Sequence, residues 1–168
     1  GNGSSMHLAG ELFKGQTGTY MLHIPYKVPA DATNDLISGR TQLMFQLMTG
    51  IQAQVKAGRV RPIAVLSERR WAGLPDVPTT AEQGLPALQL TIWHGVYAPR
   101  GTPDAVIGTL SRALQSAVAS PGFVAAMNQV GVVPAPSDQA TPRQLRQQLA
   151  AQTAKWRPII QKSGQFAD

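Results

Sequence analysis

The sequence predicts an α/β fold with a largely parallel sheet and flanking helices. Two patterns point to this fold class: short apolar segments alternate with helical patterns through the first part of the chain, and helix signals dominate the rest. The composition agrees, because 43% hydrophobic and 14% charged residues are typical of a globular protein and not of a disordered one. A chain of 168 residues fits one ordinary domain or two incomplete lobes.

Helices and strands are predicted to alternate up to about residue 66. Apolar residues at helical spacing predict helices, and short apolar runs between turn signals predict strands. Gly39 and Gly58 are each expected to end a helix. The predicted helices are 5–14, 34–38 and 51–56, and the predicted strands are 20–25, 43–47 and 61–66, with the strand over 43–47 expected to be buried.

A proline-rich loop is predicted over residues 68–86, since a central strand does not tolerate three prolines. One helical turn is expected near residues 80–83, capped by the hydroxyl of Thr80. An extended segment follows over residues 88–98.

The rest of the chain is predicted to be helical. Thr102 is expected to cap a helix whose first residue is Pro103, with the apolar face Val106, Leu110, Ala113, Leu114 and Ala117. A second helix is expected over residues 123–130, closed by Gly131. A last helix is predicted to begin at Thr141-Pro142, with Leu145, Leu149, Trp156 and Ile160 on one face, and Pro158 is expected to kink or end it.

Composition also excludes several kinds of site. The chain has no cysteine, which excludes disulfides, thiolate zinc sites and cysteine nucleophiles. Its three histidines are far apart in sequence and lack metal-ligand spacing, so we expect no metal. No apolar run approaches the roughly 20 residues that a membrane-spanning helix needs.

The positive charge leaves two interpretations open. The net charge is +6, and acidic residues are absent from 36–67 and from 139–167. Such a field attracts anions of any kind, so a basic nucleic-acid or protein interaction module is one alternative to an ordinary solvated surface. Nucleic-acid binding also needs aromatic residues among the cations or a recognisable module, and the sequence has neither. We therefore expect no nucleic-acid partner.

The first candidate site is the glycine-rich start of the first helix, with Gly3, Ser4, Ser5, Met6 and His7. Glycines allow close approach of a ligand, and free amides at a helix N-terminus favour an anion such as a carboxylate. Ser4 and His7 also suggest a catalytic triad, but no acid lies nearby to orient the histidine. A helix-capping serine and a packed histidine are the preferred interpretation, and no catalytic residue is assigned.

The second candidate site is the turn that holds Tyr26, Ala30 and Asp31, between a predicted strand and a predicted helix. Two such turns converge at the C-terminal edge of a parallel sheet, where α/β folds bind ligands. The alternative is that both are ordinary turns.

Several strings resemble the Bug/TctC receptors of tripartite tricarboxylate transporters. The resemblance runs from Gly1 to the C-terminus. It rests on GNGSSMHLAGELF at 1–13, HIPYK at 23–27, DLISG at 35–39, LMF at 43–45, LPDVPT at 74–79 with AEQGLP at 81–86, and WHGVYAPRGTP at 93–103.

The resemblance implies two α/β lobes around a cleft, as in a Venus flytrap. Residues 1–88 would form most of the second ligand-binding lobe, and residues 89–168 would supply the crossover strand and the helices that complete the first. The implied function is periplasmic capture of a small carboxylate for the membrane components of the transporter, without enzymatic activity or cofactor. The family's N-terminal portion is absent, which predicts a half-site that binds weakly and a chain that self-associates, through exchange of helices over residues 102–160.

Two departures from the family bear on the ligand. After Tyr-Lys the family has glycines and then Pro-Ala. This chain has instead Val28, Pro29, Ala30, Asp31 and Ala32. Pro29 removes an amide donor, and Asp31 would repel a neighbouring carboxylate. Where the family has an aspartate after Met-Phe, this chain has Gln46. A ligand ammonium would therefore meet a neutral amide instead of a negative charge. These differences argue against an amino-acid ligand and leave the identity of the carboxylate open.

Overall fold

The computed structural model describes residues 1–129 and 132–163. The helices in these ranges are α1 (Ser5–Thr17), α2 (Pro29–Ile37), α3 (Met48–Lys56), α4 (Asp104–Ala119), α5 (Pro121–Gln129) and α6 (Pro142–Ser163), with a 3₁₀ turn at Ser137–Gln139. None of these helices is long and apolar enough to cross a membrane. The chain divides into two compact units. One is Gly1–Ile92 with the described residues from Pro158 onward, and the other is Trp93–Arg157.

Helix α1 forms as the sequence predicts and extends three residues further. Ser4 caps its N-terminus, where the Ser4 hydroxyl accepts a hydrogen bond from the His7 amide at 3.3 Å. Gly18 ends it in the left-handed conformation, with φ +68°, and donates its amide to the Lys14 carbonyl. The helix buries His7, Ala9 and Leu12, so the interpretation of a capping serine and a packed histidine is confirmed.

Helices α2 and α3 both begin earlier than expected. The prediction placed the start of α2 at Asn34, but Pro29 opens the helix because its fixed φ suits the first turn and its missing amide has no acceptor there. The prediction for α3 began at Ile51, and the helix begins at Met48. Gly39 and Gly58 follow the two helices with φ +77° and +68°, as expected of residues that end a helix.

The largely parallel sheet is not formed among the described residues, where strand pairing is limited to one parallel bridge between Val65 and Thr79. A strand is stable only when its amides and carbonyls find a neighbouring strand. Residues 20–25 and 43–47 have no such neighbour and form no regular secondary structure. The prediction of a buried strand over 43–47 is wrong on burial too, because Leu43 and Leu47 are each 41% exposed.

The segment around the Val65–Thr79 bridge provides half of the buried residues that the structure describes in the first unit. Val65, Val77 and Leu88 are buried, as are the side chains of Thr79 and Thr80. The Val65 amide donates to the Pro78 carbonyl at 2.8 Å, and the Thr80 amide donates to the Val65 carbonyl at 2.9 Å. These bonds fix the proline-rich loop against the preceding segment.

The cap of the turn in this loop is Thr79, not Thr80 as predicted. The Thr79 hydroxyl accepts from the Glu82 amide at 3.2 Å, and the Glu82 carboxylate accepts from the Thr79 amide at 2.7 Å. This reciprocal pair is a capping box. The Thr80 hydroxyl is buried and donates instead to the Leu88 carbonyl at 2.6 Å.

The second unit contains no fully buried residue among its described positions, and α4 exposes Val106 and Leu110 by 45% and 52%. Thr102 does not cap α4, because its hydroxyl donates back to the Pro99 carbonyl and Pro103 occupies the capping position. Thr141 does cap α6, accepting from the Gln144 amide at 3.2 Å.

Pro158 lies inside α6 and does not end it, since the helix continues to Ser163. The predicted end of the preceding helix at Val130 and Gly131 falls outside the described residues.

Candidate functional site

A cavity of about 630 Å³ lies within the first unit, between α1 and the segments 20–26 and 40–46. Its volume is within the range of roughly 300–1,000 Å³ that is usual for small-molecule sites. Ser4, His7, Glu11 and Lys14 line it from α1. Lining residues from the other two segments include His23, Tyr26, Arg40, Phe45 and Gln46.

The start of α1 places hydrogen-bond donors at one end of this cavity. The amides of Ser5 and Met6 belong to the first turn, where a helix offers no internal acceptor. The Ser4 amide is engaged locally and donates to the Gly1 carbonyl at 3.3 Å. Of these three amides, only those of Ser5 and Met6 therefore have no hydrogen-bond acceptor among the described residues.

His7 is the buried polar group at the cavity, with 3% of its surface exposed. Its Nδ1 accepts a hydrogen bond from the Gly3 amide at 3.1 Å, which requires that nitrogen to be unprotonated. Its Nε2 has no hydrogen-bond partner among the described residues and lies 3.6 Å from Glu11 Oε1. A buried donor without a partner costs free energy and marks the position where a ligand atom or water would be stabilised.

His23 stacks on His7, with ring centroids 4.2 Å apart and ring planes inclined by 29°. The His23 Nε2 lies 3.2 Å from Asn2 Oδ1. Burial and, second, the neighbouring His7 lower the pKa of His23 from its usual value, while Glu11 acts in the opposite direction.

The charges of the α1 wall lie on Glu11 and Lys14. Lys14 Nζ is 2.5 Å from Glu11 Oε1, and the two side chains are 27% and 12% exposed. The ammonium group thus reaches the cavity while it is held by a carboxylate that also faces His7.

Asp35 positions Tyr26 and Arg40 on the opposite wall. The Tyr26 hydroxyl donates to Asp35 Oδ2 at 2.8 Å, and Arg40 Nη1 lies 3.2 Å from Asp35 Oδ1. The hydrogen bond to Asp35 is the main cause of a raised pKa at Tyr26. Tyr26 therefore stays protonated and can serve the cavity as a neutral polar group.

The apolar part of the wall comes from the segment 43–47. A Cβ added to Gly10 would stand 3.7 Å from the Phe45 ring, an ordinary contact distance, so Phe45 lies beside this position of α1. Phe45 and Phe13 are 6.1 Å apart between ring centroids. Gln46 faces the cavity, although its Oε1 accepts from the Leu47 amide at 2.9 Å.

The residues predicted from sequence separate into two groups. Ser4, Met6, His7, Tyr26 and Gln46 line one cavity, which brings the two predicted turns and the 43–47 segment together. Gly3, Ser5, Ala30 and Asp31 are not among its lining residues. Ala30 and Asp31 lie in the first turn of α2 and are exposed, so Asp31 faces solvent there.

Sequence reasoning missed the cavity residues Glu11, Lys14, His23 and Arg40. A signal existed on α1, because positions 7, 11 and 14 are spaced to share one helical face. No local pattern indicated the stacking of His7 and His23, which lie 16 positions apart. Among the described residues no group of three or more histidine and acidic side chains is arranged to hold a metal ion.

Comparison with known proteins gives a family for this fold and cavity. Residues 1–165 match the model of the tripartite tricarboxylate transporter family receptor, TctC. The chain belongs to this family.

Relatives in the TctC family agree with that assignment. The chain is 36% identical over 161 residues to the "UPF0065 protein in tcbD-tcbE intergenic region" of Pseudomonas sp. (strain P51), covering 95% of this chain and 47% of that protein. It is 34% identical to "Protein BugT" of Bordetella pertussis, covering 96% of this chain and 49% of BugT. The chain spans about half the length of these curated relatives.

Solved structures of the same class show the same fold. One is Rpa4515 of R. palustris with adipate, at a TM-score of 0.81 and 31% identity over 98% of this chain and 54% of that one. Another is the periplasmic binding protein BugD, at a TM-score of 0.80 and 36% identity over 96% of this chain and 54% of that one. The fold is therefore that of periplasmic binding proteins, and the family is one of solute-binding receptors.

Proposed function

We propose that this chain provides the α1 side of the binding site in an extracytoplasmic receptor that captures a small carboxylate for a tripartite tricarboxylate-type transporter. The observation that carries the proposal is the cavity itself. It combines the free amides of the first turn of α1, a buried histidine without a partner and two cations, in a chain similar to a receptor solved with adipate.

The chemistry of the cavity suits an anion with an apolar body. The amide of Met6, which lines the cavity, and the adjoining Ser5 amide favour a carboxylate at one end, aided by the helix dipole. Lys14 and Arg40 add positive charge on two walls, and Phe45 offers an apolar surface between them. A dicarboxylate with a short hydrocarbon chain meets all three features. In the longer receptor a second lobe would enclose it, with the family's membrane components as partners.

Lys14 provides the test of this assignment. Replacing Lys14 by glutamine removes a cation from the cavity wall, and we expect the affinity for adipate to fall by about threefold to tenfold. Calorimetric titration of the chain and of the variant measures the change. Lys56→Gln is the matched control, since Lys56 is an exposed residue at the end of α3 and does not line the cavity.

Two results would contradict the proposal. One is an adipate affinity that responds equally to Lys14→Gln and Lys56→Gln, which would indicate a diffuse charge effect. The other is the absence of heat and of any thermal stabilisation with every dicarboxylate tried, at concentrations up to tens of millimolar.

A further inference from the structure

His7 and His23 are stacked at the cavity, an arrangement that anion binding alone does not require. Two imidazole rings 4.2 Å apart in a partly buried place repel each other when both are charged. A carboxylate that enters the same cavity would instead stabilise a charged ring, because it attracts the imidazolium form.

The hydrogen bonds assign one ring as the proton acceptor. Nδ1 of His7 accepts from the Gly3 amide at 3.1 Å, so a proton cannot be added there without breaking that bond. Nε2 of His23 faces the Asn2 side-chain oxygen at 3.2 Å, and an amide oxygen only accepts, so this nitrogen carries the hydrogen. The vacant position for a further proton is Nδ1 of His23.

We propose that the His7–His23 pair couples ligand binding to proton uptake: a dicarboxylate held in the α1 cavity draws one proton from solvent onto Nδ1 of His23. This inference rests on the proposed function, and it adds a regulation of the same site. The proton comes from water or buffer and no bond of the ligand changes.

The other charges around His23 set the size of the effect. Glu11 favours the protonated ring, whereas His7, Lys14 and the terminal amine of Gly1 oppose it. Tyr20, Tyr26 and Arg40 face the cavity from the remaining two walls, and of these Arg40 carries positive charge. Lys14 is paired with Glu11 and Arg40 with Asp35, so burial and the neighbouring His7 are the main causes that hold the pKa of His23 below its usual value.

The direction of the pH dependence follows from this balance. In the empty cavity the pKa of His23 lies below its usual value of 6.5. A bound carboxylate raises the pKa of His23. The affinity for the ligand therefore increases as pH falls through the pKa of His23 in the liganded state, and it becomes constant below the pKa of His23 in the empty state. An opposite charge at close range shifts a pKa by about one to three pH units, which corresponds to a change of at least about tenfold in affinity across the window.

Proton NMR of the histidine rings tests whether ligand binding is coupled to protonation of His23. The three histidine Cε1–H signals of the chain are assigned with His7→Gln, His23→Gln and His94→Gln. Each signal is titrated over about pH 5–9, once in saturating adipate and once in sodium chloride of equal ionic strength. We expect the midpoint of His23 to rise by at least about one pH unit in adipate. His94, exposed and outside the cavity, should keep its midpoint.

A second readout is the affinity for adipate near pH 6 and near pH 8, followed by amide shifts at Ser5 and Met6. His94→Gln should keep the pH dependence, and His23→Gln should lose it. Amide shifts without any change in the His23 midpoint would overturn the coupling and leave carboxylate binding intact. Absence of amide shifts at every pH would overturn the proposed function together with the coupling.

Discussion

Ser4 contributes to the start of α1 through both its side chain and its backbone. Its hydroxyl accepts the His7 amide, and its carbonyl accepts the Leu8 amide at 2.9 Å. The serine thereby fixes the first turn, which in turn holds His7 beneath the Gly3 amide. The geometry of the cavity therefore depends on one capping residue.

Replacement of Ser4 by alanine should destabilise the chain by about 1 kcal/mol, because the His7 amide loses its acceptor. Urea unfolding followed by circular dichroism measures the change. Ser5→Ala is the control, since the Ser5 hydroxyl contacts only the neighbouring Met6 sulfur at 3.3 Å among the described residues. Equal losses for the two variants would contradict the capping role.

Glu82 predicts how the stability of the first unit responds to acid. Hydrogen bonds from Arg70 and from the Thr79 amide lower the pKa of Glu82 from 4.5 to about 2. A carboxylate whose pKa is depressed in the folded state stabilises the protein above its unfolded pKa, and this contribution is lost as pH falls towards the folded pKa. Glu82→Gln should therefore lower the melting temperature at neutral pH and have little effect near pH 2.

The exposed Glu68 on the same loop is the control for this prediction. Glu68→Gln should leave the melting temperature nearly unchanged at both pH values. A Glu82→Gln variant as stable as the wild-type chain at neutral pH would show that the capping box and the Arg70 bridge do not stabilise the folded loop.

At the scale of elements, Gly10 inside α1 and Gly18 at its C-terminal end should respond oppositely to alanine. Gly10 is inside the helix, and a Cβ there would stand 3.7 Å from Phe45 at ordinary contact distance, so Gly10→Ala should stabilise the chain by about 0.5–1 kcal/mol. Gly18 has φ +68°, where a side chain is strained, so Gly18→Ala should destabilise it by about 1 kcal/mol. Melting temperatures that move in the same direction would contradict these helix assignments.

Elements defined by local signals were predictable from the sequence, and those defined by pairing were not. The glycine ends of α2 and α3 and the start of α6 at Thr141-Pro142 are local, and the structure has them where expected. Strands 20–25 and 43–47 depended on neighbours that the described chain does not supply. Residues 20–24 do alternate between exposed and half-buried with the period of a strand, so the side-chain pattern is present without the pairing.

The candidate site shows the same division between local and long-range information. Ser4 and His7 were identified from one turn of sequence, and a helix start is a local signal. Tyr26 was identified from the turn between a predicted strand and a predicted helix, and Gln46 through resemblance. Both residues line the same cavity. The contribution of His23 depends on stacking against α1, which only the three-dimensional arrangement reveals.

The whole chain exposes large apolar side chains that an isolated globular protein would usually cover. Tyr20 and Leu22 are 86% and 71% exposed in a segment without strand partners. Unpaired segments of this kind associate with other chains. We therefore expect the isolated 168-residue chain to self-associate, with a mass above 17.9 kDa by light scattering.

Leu22→Lys should shift this equilibrium towards the monomer, because a charge on an exposed edge opposes pairing. Leu110→Lys places the same change on α4, where the leucine is 52% exposed. A stronger effect of Leu110→Lys would assign self-association to the C-terminal helices, as helix exchange predicts. A monomeric wild-type chain would contradict the prediction altogether.

The central claim is that the α1 cavity binds a carboxylate, and amide NMR of the ¹⁵N-labelled chain titrated with adipate tests it most directly. We expect shifts concentrated at Ser5, Met6, His7 and the segment 40–46. The dissociation constant should lie in the millimolar range, about 4 kcal/mol of binding, because an open site leaves each hydrogen bond in competition with water. Shifts confined to residues 93–157, or none at saturating adipate, would contradict the claim.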